Sequence, residues 1–255
     1  MSMAEARLYD VLLYSWFALA AISALSLLFV AAPYGRHARA GWGPTIPSTA
    51  GWIVMEAPSA IVMAILWAAG PRRTNPVAVT LAVAWIGHYV YRSFVFPVMR
   101  RGGSRPMPAA IPFMACVFNV GNAYLNGRWL FALGPERGTD WFTDPRFGIG
   151  ALLFAAGFAT HVRADWLLAR LRAPGETDYK LPRGFLFEHV SCPNYLGEIV
   201  EWTGWALAAW SLAGLSFAFW TIANLAPRAL AHHRWYREKF ADYPPLRRAL
   251  VPWVI

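Results

Sequence analysis

Between Pro193 and Phe240 the chain is apolar and long enough for two membrane crossings, yet it carries Glu198, Glu201, Asn224, Arg228, His232, His233 and Arg234. At helical spacing Asn194, Glu198, Glu201 and Trp202 share one face, and Arg228, His232, Trp235 and Tyr236 share another. An ionisable group in hydrocarbon costs at least about 2.5 kcal/mol, so such stripes face a shared cavity instead of lipid. Walls of Arg, His, Asn and Tyr suit a ligand with anionic phosphates and a polar heterocycle, and a deeper part rich in Trp and Phe suits an apolar molecule. That pairing points to a nucleotide cofactor and a lipid.

Earlier stretches carry polar residues of the same kind. Glu56 lies in an apolar run, with Trp52 one turn before it and Ser59 one turn after. Its plain alternative is a carboxyl that fixes helix packing, but an intramembrane acid is first a functional candidate. His88, Tyr89 and Arg92 form a second polar cluster. Arg92 alone would read as an interfacial anchor and Tyr89 alone as a belt aromatic. Asn119 and Asn122 stand one turn apart and can bond helix to helix or bind a ligand. His161, Asp165 and Arg172 recur along one helical stripe, with Arg163 beside them.

The elements that must hold these groups are membrane helices. Hydrophobic residues make up 57% of the 255, charged residues only 15%, and Trp occurs 14 times, which is too apolar for a soluble domain. Spans are expected at residues 9–32, 50–70, 76–98 and 107–125, then from Phe147 past His161 toward Arg170, and finally two in 193–240 split near 212–214. The expected fold is all-α: a polytopic membrane protein whose seven transmembrane helices, one domain over residues 1–255, enclose a cofactor and lipid cavity. The first span lacks a small-residue cleavage site and reads as a retained helix.

The net charge of +9 comes from short basic clusters between apolar runs, which is the pattern of membrane-flanking loops and argues against nucleic acid. Lys and Arg place the tail, with Arg237, Lys239, Arg247 and Arg248, in the cytoplasm and the N-terminus outside, although Arg72 and Arg73 oppose this. Cys116 and Cys192 make no disulfide framework, and no CxxC or HExxH metal spacing occurs, so no metal is expected. Gly148 and Gly150 form a GxG at the start of an apolar helix, outside any strand-turn-helix context, so a dinucleotide must be held by a transmembrane pocket.

Longer segments carry a resemblance. They are APYGRHA at 32–38, MEAPS at 55–59, HYVYRSFVFP at 88–97, DPRFGIG at 144–150, ADWLLARLRAPGETDYKLPRGFLFEHVSCPNYLGEIVEW at 164–202 and RALAHHRWYREKFADYPPLRRALVPWVI at 228–255. Along nearly its whole length the chain resembles the steroid 5α-reductase family, the membrane 3-oxo-5α-steroid 4-dehydrogenases, and most nearly its type-2 branch. Alanine- and arginine-rich usage with few cysteines points to a bacterial source.

The resemblance implies NADPH-dependent reduction of the Δ4 double bond of a 3-oxosteroid. Glu56 and Tyr89 match the pair that holds the steroid 3-keto oxygen, with Tyr89 as electrophile and Glu56 as its partner, and either of the two as the proton donor. For the cofactor the family pattern carries over to Asp165, Arg172, Tyr179, Asn194, Glu198, Arg228, His232 and Tyr236, with Tyr34, Arg92, Arg105, Asn122 and Trp202 as further wall residues. Two positions depart from it: His161 stands where the family has Asn, and Lys180 where it has Arg. Arginines bind the pyrophosphate and 2′-phosphate bidentately, the physical reason for NADPH over NADH. Trp52, Phe118, Phe217 and Trp220 are candidates for the steroid wall.

The partners implied are a steroid or other ketone-bearing lipid and membrane lipid, and the protein is expected to be a monomer. Location would be the inner membrane of a bacterium or the endoplasmic reticulum of a eukaryote. Three other readings compete. They are a reductase of another enone or enoyl lipid, an S-adenosylmethionine-dependent membrane methyltransferase with a similar C-terminal segment, and a non-enzymatic lipid transporter.

Overall fold

The computed structural model describes residues 3–99, 106–173, 176 and 178–255. Local rules set where each helix starts. Asn75 accepts from the Ala78 amide, with Pro76 opening α3 (Pro76–Val90). Asp144 accepts from the Arg146 amide, with Pro145 opening α6 (Pro145–Arg170). Ser211 accepts from the Gly214 amide to open α8 (Leu212–Lys239). Each side-chain oxygen takes up an amide left without an intrahelical partner, and proline at the first turn gives up none.

The other helices are α1 (Met3–Phe29), α2 (Ser48–Ala69), α5 (Ala110–Arg128) and α7 (Pro193–Ala209). A π turn over Tyr91–Val95 continues α3 into the short α4 (Phe96–Met99), and a second, Trp129–Leu133, continues α5. Among the described residues strand is confined to β1 (Thr45–Ile46) and β2 (Met107–Pro108), which pair antiparallel, Thr45 opposite Pro108. The all-helical class is therefore as expected, and α1, α2 and α6 are long and apolar enough to cross a membrane by length and composition.

Several boundaries differ from expectation. The β1–β2 pairing occupies Met107 and Pro108, so α5 starts at Ala110 instead of 107. It then runs past Leu125, because Asn126 donates to the Asn122 carbonyl and Arg128 pairs with Glu5 of α1. The break between the last two helices falls at Trp210, which takes a left-handed φ of 44°, just before the expected 212–214. The first helix begins and ends earlier than 9–32.

Glycines bring α6 and α7 together. A Cβ on Gly197 would stand 2.5 Å from the backbone nitrogen of His161, and one on Gly150 2.5 Å from that of Ala208. Gly150 is thus a packing glycine, and the GxG has no phosphate-cradling geometry to explain. Close approach of backbones through small residues is how membrane helices pair without a hydrophobic driving force. Its consequence is that Asp165 and His161 of α6 face Glu198 and Glu201 of α7 across a short gap. Beneath them Trp85, Trp202, Trp205 and Phe217 form an aromatic floor, with Trp85 5.1 Å from both other indoles and Trp202 4.3 Å from Phe217. Buried indoles need an acceptor, and two of these are shown with one: Trp85 donates to Ser59 Oγ and Trp205 to the Leu81 carbonyl, both at 3.1 Å.

Candidate active site

A cavity of about 600 Å³ runs between these helices. One end is charged. Arg92, carried on the π turn, is its hub: Nη2 lies 3.6 Å from Glu56 Oε1, and Nη1 lies 3.5 Å from Asp165 Oδ2 and 3.7 Å from Glu198 Oε1. Its guanidinium also lies 4.7 Å from the ring centres of Trp52 and Phe96. Asn194 donates to Asp165 Oδ1 at 3.2 Å. A π turn adds one residue to the helical register and often marks functional positions; here it lies where the buried Arg92 must meet acids from three helices.

Three further guanidiniums line the wall. Arg36 lies 4.5 Å from the Tyr236 ring centre, 5.0 Å from that of Trp235 and 5.5 Å from that of Tyr179. Arg228 lies over Tyr34 and Tyr195 at 5.0 and 5.3 Å, and Arg172 over Tyr179 at 5.3 Å. Among the described residues none of the three has a carboxylate within ion-pair distance, and Arg36 Nη1 is buried with no hydrogen-bond partner. Stacked, unpaired guanidiniums are pre-formed for phosphate oxygens.

Beside them His37 Nε2 lies 2.9 Å from His232 Nδ1, with the rings stacked, and His232 Nε2 lies 3.1 Å from the Tyr195 hydroxyl. Burial, then the Arg36 and Arg228 charges, push the His37 imidazole down to about 4, so it is neutral at pH 7. Cys192, just before α7, is buried against Ala229 and Leu250, and burial pushes its thiol up to about 12. It is inert packing.

The rest of the lining is largely apolar and includes Met55, Met114, Phe118, Phe217 and Trp220, while Trp52 and Phe96 stand beside Arg92. Glu56 and the deeply buried Tyr89 stand where the two ends meet, next to Asn119, which donates to the Met55 carbonyl at 2.5 Å.

Nearly all residues singled out from the sequence line this one cavity: Glu56, Tyr89, Tyr34, Arg92, Asp165, Arg172, Tyr179, Asn194, Glu198, Trp202, Arg228, His232, Tyr236, Trp52, Phe118, Phe217 and Trp220. Asn122 does not. It is fully buried in α5 and accepts from Asn126, while Asn119 takes the wall position one turn earlier. His161 sits behind the wall, its Nε2 3.0 Å from Asp165 Oδ2, so it touches the lining acids and not the chamber. Arg105 lies outside the described residues. Sequence reasoning missed Arg36, His37 and Tyr195 as wall residues. The first two stand in the same 32–38 segment as Tyr34, and the third is next to Asn194.

Fold and site together define a helical, membrane-associated protein with an internal chamber, cationic at one end and apolar at the other. Comparison with known proteins narrows this class. The family described as 3-oxo-5-alpha-steroid 4-dehydrogenase matches residues 105–255. The chain is 42% identical to the 3-oxo-5-alpha-steroid 4-dehydrogenase 1 of Bos taurus, covering 100% of both proteins. It is 41% identical to the steroid 5-alpha-reductase DET2 of Gossypium hirsutum over 97% of this chain and 94% of that one. It is also 42% identical to the 3-oxo-5-alpha-steroid 4-dehydrogenase 2 of Sus scrofa over 92% and 93%. The chain belongs to the steroid 5α-reductase family and is an oxidoreductase of that enzyme class.

Proposed function

We propose that this protein reduces the Δ4 double bond of a 3-oxo-Δ4-steroid to the 5α-dihydrosteroid with NADPH, inside a bundle of seven membrane-spanning helices whose C-terminus is cytoplasmic. The observation that carries the cofactor reading is the set of unpaired, ring-stacked guanidiniums of Arg36, Arg172 and Arg228 at one end of the chamber. They fit a pyrophosphate and a 2′-phosphate, and among the described residues no carboxylate stands within ion-pair distance of them. Asn194, Glu198 and Asp165 offer amide and carboxylate groups for ribose hydroxyls and a carboxamide. When bound, the nicotinamide supplies a hydride to the carbon β to the ketone.

The chain's own residues do the rest. Tyr89 donates a hydrogen bond to the ketone oxygen, where negative charge develops as the double bond is lost. Glu56, close to Arg92, keeps the phenol aligned. Trp52, Phe118, Phe217 and Trp220 exclude water and hold the fused rings of the substrate. A reductase of another enone lipid would use the same machinery; a ketone substrate is favoured because Tyr89 and Glu56 lie together at the junction of the two ends. Detergent-purified protein incubated with testosterone or progesterone and NADPH should yield the 5α-reduced product, identified by mass and retention. No product and no steroid-dependent NADPH oxidation would count against the reading.

A further inference from the structure

Each carboxylate oxygen of the fully buried Glu201 faces an imidazole: Oε1 lies 2.7 Å from His88 Nδ1, and Oε2 lies 3.4 Å from His161 Nδ1. His161 Nε2 in turn stands 3.0 Å from Asp165 Oδ2 and 3.5 Å from Glu198 Oε1. The remaining groups that face the two rings are Tyr89 and Tyr91, with Arg92 reaching the same acids. The network therefore sets Glu56, Asp165, Glu198 and Glu201 against the Arg92 guanidinium, with Arg228 acting on Glu198 from beyond ion-pair distance. Unpaired carboxylates cost several kcal/mol each away from water, and the two imidazoles are the nearest groups able to take up protons and offset that charge. His88 is also part of the cavity wall, its ring 5.1 Å from that of Tyr89 and 4.6 Å from that of Trp202. A histidine held through Nδ1 by a buried carboxylate has a fixed ring orientation and a stabilised imidazolium.

We propose that Glu201 holds His88 and His161 as a buried proton-carrying pair, and that His88 is the acid that delivers a proton to the α-carbon of the enone substrate. The proposal rests on the reductase reading above and deepens it. As hydride adds to the β-carbon, the double-bond electrons move onto the carbonyl oxygen, which accepts the hydrogen bond from Tyr89. The α-carbon of this enolate then takes the proton from His88: the imidazolium N–H bond breaks, the C–H bond forms, the carbonyl returns and Tyr89 stays a phenol. Water reprotonates the neutral imidazole pair between turnovers. The same three side chains place donor atoms within 4.8 Å of one another. Ligands of an ion bound at about 2.0–2.2 Å must however stand roughly 3 Å or more apart, and His88 and Glu201 are already at hydrogen-bond distance.

The test begins with wild-type turnover of progesterone and NADPH across roughly pH 5–9; no turnover at any pH would defeat the reductase reading itself. With turnover present, His88→Gln should lower kcat by about a hundredfold or more, leave KM within threefold and change the solvent deuterium isotope effect on kcat. Independently of activity, nitrogen-15 histidine spectra of the cofactor-free protein should show two imidazoles whose ring-nitrogen resonances both shift in Glu201→Gln. A His88→Gln protein with wild-type kcat overturns the proposal. So do imidazole resonances that Glu201→Gln leaves in place, or one equivalent of a divalent metal in the purified protein.

Discussion

Arg92 Nη2 lies 3.6 Å from Glu56 Oε1, which ties the acid beside the proposed ketone site to the guanidinium that also holds Asp165 and Glu198. One side chain thus couples the two ends of the chamber. Removing one partner of a buried ion pair costs about 3–5 kcal/mol, because the charges left behind stay buried. Arg92→Ala should therefore lower the thermal midpoint in detergent markedly and weaken NADPH binding. Arg92→Lys, which keeps the charge but cannot reach three acids at once, should recover part of the stability. An Arg92→Ala protein with the wild-type midpoint would show that the hub carries no weight.

Tyr89 is the test of electrophilic assistance. Tyr89→Phe removes one hydroxyl and keeps the ring that packs 5.4 Å from Trp85. Enone reduction should drop by roughly a hundredfold or more, while NADPH affinity, measured by thermal stabilisation without steroid, stays within about threefold. Normal turnover in this variant would remove Tyr89 from the chemistry.

The unpaired guanidiniums predict a selective loss. Each charge-assisted hydrogen bond to phosphate is worth about 1.5–3 kcal/mol, or roughly 10- to 100-fold in affinity. Arg228→Ala and Arg36→Ala should each raise the apparent constant for NADPH by that order, with little change in kcat at saturation. A variant that loses the preference for NADPH over NADH identifies the arginine at the 2′-phosphate. Unchanged constants in both would refute their cofactor role.

What was legible in the sequence follows from chemistry, and what was not follows from tertiary geometry. Glu56, Tyr89 and Arg92 were conspicuous because an ionisable group in an apolar helix has few bland explanations. Arg36 and His37 were not, because a basic residue in a short loop reads as a membrane-flanking charge until the turn at Gly35–His37 is seen to fold over Tyr236 and His232. Asn122 was misread as a wall residue because Asn119 and Asn122 lie on nearly the same helix face, and only the packing of α5 decides which one reaches the cavity. The start of α5 was missed because the two-residue strand pairing with β1 leaves no periodic signature.

Gly197 tests the α6–α7 contact apart from the chemistry. A Cβ there would meet backbone nitrogen at 2.5 Å, which no rotamer change relieves. Gly197→Ala should push the helices apart, lower stability by about 1–3 kcal/mol and separate His161 and Asp165 from Glu198 and Glu201. Gly148→Ala, where an added Cβ meets nothing within 4 Å, is the matched control and should unfold as wild type does. Equal midpoints for the two variants would mean that α6 and α7 are not held by close backbone contact.

His37 gives a pH dependence whose sign can be worked out. Its folded-state value is depressed to about 4 from 6.5, by burial and then by Arg36, Arg228, Arg234 and Arg39, and it abuts His232. The unfolded chain therefore binds a proton there that the folded protein refuses. The folded state has its full advantage above about pH 6.5 and loses it progressively as pH falls toward 4. Because His37 is only half-buried, solvent softens the effect, so the measurement is comparative: thermal midpoints of the detergent-solubilised protein from pH 7.5 down to 4.5, for wild type and His37→Gln. The wild-type midpoint should fall more steeply than that of the variant, which has nothing to protonate at this position. Parallel curves would mean that the His37–His232 stack is not what acid disrupts.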